Sequence, residues 1–305
     1  LKRLHRWMIA VAVMAAALAV AYPLVRFFHV ENRALRWARD WRPDARWNQP
    51  RWRGASLWLP GYRFDIEGRR IAGVEDNLSG LAFDAHRRQL LAAVNRPAEV
   101  LVLDLDGNVL RRHRVHGASD VEAIAWLGGD RIALLQEGRR SVIVATLPAR
   151  DGARIEVGEA RLIPLHMDAA GNDGPEGMGY DLAGDILYIG KERAPTGLYA
   201  LHGVMSAAEV SQTDLSPWLR ALPFATDLSS VEFDPVHRHL LLLSDESQLL
   251  AELSADGQPV SWCALPTGDW ALPAPQPEGV ALDDRGTLYV VSEPNLFYRL
   301  RASAP

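Results

Sequence analysis

From Leu57 to the C-terminus the chain is a succession of short apolar runs rich in Val, Ile, Leu, Phe and Tyr, broken by Gly, Asp and Pro. No segment in this stretch keeps the three-to-four-residue apolar spacing of an amphipathic helix, so the pattern predicts strands and an all-β body. The runs also repeat. Ser79-Gly80-Leu81-Ala82-Phe83-Asp84, Glu122-Ala123-Ile124-Ala125-Trp126, Glu176-Gly177-Met178-Gly179-Tyr180-Asp181, Ser229-Ser230-Val231-Glu232-Phe233-Asp234 and Glu278-Gly279-Val280-Ala281-Leu282-Asp283 align at spacings of 43, 54, 53 and 49 residues. A second apolar run follows each and ends in a polar or acidic residue: Asn95, Glu137, Glu192, Asp245 and Glu293. A third run follows in every unit, and a more variable fourth in all but the last. Three or four strands repeated at this period predict a β-propeller, because one such sheet cannot bury both faces without neighbours. Five blades are expected, with six as the alternative if residues 57–74 and the longer connections hide a degenerate unit. The fifth unit ends at Leu300 without a fourth strand, and the strand-like segment Leu57 to Val74 stands ready to supply it. Such closure removes an open sheet edge.

The first 56 residues follow a different pattern. Met8 to Val25 contains no charged residue, is preceded by Lys2, Arg3, His5 and Arg6, and is followed by Arg26. Eighteen helical residues rise about 27 Å, close to the hydrocarbon thickness of a bilayer. Trp7, Tyr22, Phe27 and Phe28 lie at interfacial positions. A cleaved signal peptide would fit Ala19-Val20-Ala21, but the run continues to Val25, so one uncleaved transmembrane helix is expected. The expected organisation is a membrane anchor over 1–28, an Arg/Trp-rich juxtamembrane linker over 29–56 and the propeller over 57–305. The linker, with Trp37, Trp41, Trp47 and Trp52 among its arginines, suits either anionic headgroups or packing of a few Trp on the body. Arg26, Arg33, Arg36, Arg39 and Arg42 crowd the C-terminal side of the span, so counting bases does not fix orientation. A basic segment ahead of an apolar core nevertheless reads as export, which makes the inner membrane the expected location and the periplasm the expected side of the propeller.

Charge divides the chain in the same place. Residues 1–53 carry 11 Lys/Arg against 3 Asp/Glu, leaving 22 against 35 in the remainder, within a formal net charge of −5. An acidic body argues against nucleic acid as a partner. Cys263 is the one cysteine, so neither an intrachain disulfide nor a cysteine-based zinc site can form. GxSxG, Walker, HExxH and GxGxxG motifs are absent. Asp104-Leu105-Asp106-Gly107-Asn108 opens like an EF-hand loop but lacks the closing Glu, and reads as a hairpin turn. His113, His116, His237 and His239 read as surface residues.

The acids fall into two columns. In a blade the first strand lines the central channel and the second runs antiparallel beside it, so the start of one lies next to the end of the other. Ser79, Glu122, Glu176, Ser229 and Glu278 form one column, and Asn95, Glu137, Glu192, Asp245 and Glu293 the other, with Asp120, Asp173 and Asp227 just before the first. Lys191 is the expected base among them. Carboxylates gathered at one channel mouth are costly unless a cation or protons join them. A ring of hard oxygen ligands suits Ca²⁺, and Mg²⁺ less well. Glu122, Glu176, Glu278, Asp227 and Asp245 are the expected metal ligands, the rest of the ring being strand-end polar groups.

Several of these stretches resemble those of a bacterial family, the SdiA-regulated or YjiK-like proteins, and more distantly NHL-repeat propellers, some of which are hydrolases. The resemblance rests on Ile71-Ala72-Gly73 with Asn77-Leu78-Ser79, Asp120-Val121-Glu122, Pro175-Glu176-Gly177, Leu243-Ser244-Asp245-Glu246-Ser247 and the long run from Glu278 through Val291-Ser292-Glu293-Pro294-Asn295-Leu296-Phe297-Tyr298-Arg299. It implies a five-bladed propeller behind an N-terminal membrane segment, with a calcium site. Two functions are compatible with this reading. One is a binding or scaffolding domain in which Ca²⁺ ties the blades and an unknown small molecule or protein docks on the same face. The other is a Ca²⁺-dependent hydrolase of the lactonase, esterase or phosphoesterase kind, with Glu137 or Glu192 as base.

Overall fold

A computed structural model of the protein describes residues 46–167, 174–193, 195–222, 227–265 and 274–303, with isolated helical positions at Trp7, Met14, Ala17, Ala19, Ala21 and Tyr22. The expected anchor and the first part of the linker otherwise lie outside the described residues, as does Asp173. Among the described residues no helix is long and apolar enough to cross a membrane. The chain divides into Leu1–Asp44 and Ala45–Pro305.

The second unit is a five-bladed propeller. A leading strand β1 (Tyr62–Arg70) precedes blade one, which comprises β2 (Leu78–Asp84), β3 (Gln89–Val94), β4 (Glu99–Leu103) and β5 (Val109–His116). Blade two holds β6 (Val121–Trp126), β7 (Arg131–Gln136), β8 (Ser141–Thr146) and, after the short β9 (Ile155–Glu156), β10 (Arg161–Pro164). Blade three holds β11 (Pro175–Asp181), β12 (Ile186–Lys191), β13 (Gly197–His202) and β14 (Ser211–Asp214). Blade four holds β15 (Ser230–Asp234), β16 (His239–Ser244), β17 (Leu249–Leu253) and β18 (Pro259–Ala264). Blade five holds β19 (Gln276–Leu282), β20 (Leu288–Glu293) and β21 (Leu296–Ala302), with β1 antiparallel to β21 as its outer strand. The segment ahead of the first repeat therefore completes the last blade, and the six-bladed alternative falls. The short β9 pairs in parallel with β5 and links blades one and two.

Each blade is sandwiched, so its middle strands are buried on both faces and read as continuous apolar runs. Leu240, Leu242 and Leu249 pack towards blade three, whereas Leu241, Leu243 and Leu250 pack towards blade five. Five such apolar clusters fill the five blade interfaces. Outer strands have one wet face, and β1 alternates accordingly.

The inner strands meet at backbone distance. A Cβ on Gly80 would lie 2.8 Å from Ala123 Cα, one on Gly177 2.7 Å from Ser230 Cα, one on Gly179 2.8 Å from Glu232 Cα and one on Gly279 2.7 Å from Leu81 N. The layer of Gly80, Ala123, Gly177, Ser230 and Gly279 is Gly, Ala or Ser in all five blades because nothing larger fits. At the opposite end of the inner strands, an Asp caps the hairpin to the second strand in four blades. Asp84 accepts from the amides of His86 and Arg87 (both 3.0 Å), Asp181 from Ala183 (3.1 Å) and Gly184 (3.0 Å), Asp234 from Val236 (2.9 Å), and Asp283 from Arg285 (2.9 Å) and Thr287 (2.8 Å). These are Asx-type turns that satisfy amides the ladder leaves over.

Residues 46–61 run over blade four. Trp47 is buried against Leu198 and Leu222, Asn48 N donates to Val260 O (3.0 Å), and Trp262 N donates to Asn48 Oδ1 (2.9 Å). This covers the outer edge at β18. The strap ends on Glu252, which is fully buried: its oxygens accept from Leu57 N (3.1 Å) and Ser261 Oγ (2.7 Å) and face His239 Nδ1 at 2.8 Å, while Leu59 N donates to Ser261 Oγ (3.0 Å). His239 and His113 are thus interior residues and not surface ones. Their strands are flanked on both sides, and His113 Nδ1 lies 2.9 Å from Ala153 O.

Two substitutions test this account. Gly177→Ala places a methyl against backbone that cannot retreat, and should cost about 1–3 kcal/mol in urea unfolding; a neutral result would mean the blades are not in backbone contact there. Glu252→Ala strands His239, Ser261 and Leu57 N without their acceptor, and should cost on the order of 3 kcal/mol. A change below about 1 kcal/mol would show that the strap is held by its apolar contacts alone.

Candidate functional site

The first polar column is built by a repeated backbone irregularity. Pairing of the inner with the second strand skips Ser79, Glu122, Glu176 and Glu278 in blades one, two, three and five. In blade four Ser229 N donates to Leu243 O (3.0 Å) although Ser230 is the ladder partner of Leu243. Each column residue is therefore the extra residue of a β-bulge, which turns its side chain out of the ladder. The second column follows immediately after β3, β7, β12 and β16 and at the end of β20. Asn95 N donates to Asn77 O (2.9 Å), Glu137 N to Asp120 O (3.1 Å) and Glu192 N to Gly174 O (3.1 Å), which sets both columns on one mouth.

The tightest gathering is in blade two. One carboxylate oxygen from each of Asp120, Glu122 and Glu137 lies within 4.8 Å of the others, the only such group of three acids, histidines or cysteines among the described residues. Neighbouring blades hold it in place. Asn95 Nδ2 of blade one donates to Glu122 Oε1, Arg96 Nη2 donates to Asp120 Oδ1 (2.9 Å), and Gly174 N of blade three donates to Glu137 Oε1 (2.9 Å). Gly174 has to be glycine for this, because a Cβ there would sit 2.1 Å from Glu137 Cγ. Burial, then the charges of Glu137 and Asp120, push the Glu122 carboxyl up to about 7. Glu137 is raised by burial as well, against the pull of the Gly174 amide.

The remaining acids face the same space. Burial raises Glu176, reinforced by the carboxylates of Glu278, Glu192 and Glu122. Glu278 is raised by burial and then by Asp245, and its Oε1 accepts from Gln276 Nε2 (2.8 Å). Burial pushes Asp245 up to about 8, with Asp227 and Glu246 adding to it. Asp227 is buried and committed to protein donors: Ser244 Oγ and Asp245 N (2.9 Å) both donate to it. Glu293 is raised by burial and then by Asp76. Of the five residues expected to hold a metal, Glu122 alone belongs to the blade-two group; Glu176, Glu278, Asp227 and Asp245 lie outside it. Ser79 Oγ reaches both Asn77 O (3.2 Å) and the Glu122 carboxyl, whereas Ser229 Oγ donates to Pro277 O (2.8 Å) and serves the backbone.

The base at this mouth is not Lys191. That side chain is buried and donates to the carbonyls of Arg193 and Pro195 (3.0 Å to the latter). Arg96, on Asp120, and Arg193 take the role, the latter contacting Glu192 and donating from Nη1 to Glu246 Oε1 (2.8 Å). Asp120 and Arg193 stand outside the two aligned columns, which is why alignment of the repeats underrates them.

Solved structures similar to the chain include a nidogen/laminin complex (15% identity, 72% of this chain and 73% of that one, TM-score 0.47). They also include a glutaminyl cyclase of Myxococcus xanthus (12%, 77% and 98%, 0.49) and a streptogramin B lyase (12%, 81% and 100%, 0.44). At these scores they say nothing about chemistry. The family model described as SdiA-regulated matches residues 54–301, the whole propeller from the strap to the closing strand, and the chain belongs to that family.

Proposed function

We propose that the chain is a membrane-anchored, periplasmic propeller that binds Ca²⁺ at its acidic mouth and serves as a binding or scaffolding module. A small molecule or protein would dock on that face. The observation that carries the reading is the Asp120–Glu122–Glu137 group, three carboxylates from one blade pinned by donors from the blades on either side. Like charges at this separation repel unless protons or a cation intervene. An all-oxygen set with further acids across the mouth suits a hard divalent ion with six to eight ligands. Such an ion would tie blades one, two and three. Binding is favoured over hydrolysis because the two residues considered as bases are already engaged, Glu192 by Arg193 and Glu137 by the Gly174 amide. The anchor reading is supported by the uncharged run Met8 to Val25 behind its basic flank.

Three outcomes follow. A carboxyl whose pKa rises on folding favours the folded state while it keeps its proton, and that contribution is lost as pH climbs through the folded value. With Glu122 near 7 and Asp245 near 8, the melting temperature in chelator should fall between about pH 5 and pH 8, and excess Ca²⁺ should abolish the fall. If Ca²⁺ moved the melting curve at no pH, the metal would be discarded. Glu122→Gln combined with Glu137→Gln should weaken Ca²⁺ by at least roughly 100-fold in calorimetry, about 2.7 kcal/mol, with the fold retained. Turnover of lactones, aryl esters or phosphoesters that disappears in the same double variant would replace the binding module by the hydrolase. Finally, the chain should stay with membranes through alkaline carbonate extraction, and its propeller should be cut by protease added to spheroplasts; release into the wash or full protection would each overturn the corresponding part.

A further inference from the structure

The other end of the central channel has a different chemistry. The inner strands run parallel to one another around the channel, so their C-terminal ends converge on the mouth opposite the acids. A cavity of about 690 Å³ opens there, lined by Phe83, Trp126, Tyr180, Phe233 and Leu282 with Glu232 in its wall. That volume is in the range of small-molecule pockets. Two large apolar side chains on its lining, Leu182 and Val236, are exposed to 53% and 76%. An apolar chamber with an apolar rim favours a hydrophobic ligand.

Glu232 is out of place in that wall. It occupies the repeat position held by Ala82, Ala125, Gly179 and Ala281 in the other blades, so four small residues and one acid make up the layer. The other carboxylates of the lining are accounted for by the fold. Asp234 caps its turn and lies 2.6 Å from His237 Nδ1, Asp283 caps its turn, and Asp284 pairs with Arg88. Glu232 caps no hairpin. Phe233 N donates to its Oε1 (2.7 Å) and the Leu282 amide also donates to it, which fixes the carboxyl in position. Burial pushes it up to about 8, the two amides acting in the opposite sense. The two amides are neutral, so the carboxylate has donors but no countercharge of its own, and the lining as a whole carries four acids against Arg285 and His237.

We propose that this mouth is a second ligand site, which takes an apolar small molecule bearing a protonated amine, with the hydrocarbon or aromatic body in the chamber and the ammonium on Glu232. The aromatic walls suit the body of such a ligand by area, Phe83 and Phe233 already carrying Arg88 and Arg238 over their rings. The site is separate from the acidic mouth and does not depend on its metal.

Tryptamine, with indole-3-propionate as its carboxylate counterpart, tests the site in the full-length chain in lipid nanodiscs, empty nanodiscs serving as reference. The readout is the Trp126 indole N–H resonance, assigned with Trp126→Phe. Tryptamine in excess Ca²⁺ should shift that resonance saturably and bind at least roughly tenfold tighter than indole-3-propionate, and Glu232→Gln should erase the difference. Should Glu232→Gln fail to fold, Val236→Lys must weaken tryptamine without weakening indole-3-propionate. The proposal is overturned by the absence of any shift at millimolar amine, by equal binding of the carboxylate, or by an amine preference that survives Glu232→Gln. It is equally overturned if the resonance responds to protein concentration alone, which would make this mouth a self-association surface.

Discussion

The approach of the inner strands to backbone contact is the constraint on which the propeller depends. Five strands can surround a channel this narrow only if the facing side chains shrink to Gly, Ala or Ser, and Gly80, Gly177 and Gly279 have no room for even a Cβ. That tightness leaves no space for larger side chains in the layer of Gly80, Gly177 and Gly279 and displaces functional groups to either side of it. At one end a bulge in every blade lifts a residue clear of the small layer. At the other the strands diverge into loops and a chamber opens. Packing, bulge and chamber are thus consequences of a single geometric demand.

The two mouths differ in how they handle charge. The acidic mouth gathers carboxylates that have few bases to pair with, Arg96 and Arg193 being the ones that reach them. Its repulsion is relieved by protons or by a cation. The far mouth spends its aspartates on hairpin turns and leaves Glu232 in an otherwise apolar wall.

The blade count, the order of the strands and the closure by residues ahead of the first repeat were all legible in the chain, because each is written in a period of apolar runs. The two polar columns were legible for the same reason. What the period could not convey was which acids come within ligating distance. Asp120, two residues ahead of the column, joins Glu122 and Glu137 through a left-handed backbone conformation (φ 64°) that Asn77 shares at the same place in blade one, where the side chain is an amide instead of an acid. Nor did the alternation of the strand show that Lys191 turns inward to carbonyls while Arg193 faces the acids. His116 is exposed as its basic surroundings suggest, whereas His239, despite its turn-like local sequence, is covered by Trp52 and the strap (ring centroids 5.7 Å apart). Glu232 carried a signal that went unused: it breaks a column of Ala and Gly.

The strap over blade four has a mechanical meaning. Residues 1–44 precede it, so tension transmitted along the chain from that side reaches Trp47, Asn48 and the Glu252 clamp before it reaches β1. The strand that closes the ring is antiparallel to β21 and would otherwise be open to being peeled away bond by bond. With the strap in front of it, a pull must first extract a buried tryptophan and break the hydrogen bonds made by an interior glutamate. The propeller is thereby insulated from a pull on the residues that precede it, as a knotted cord spares the seam behind it.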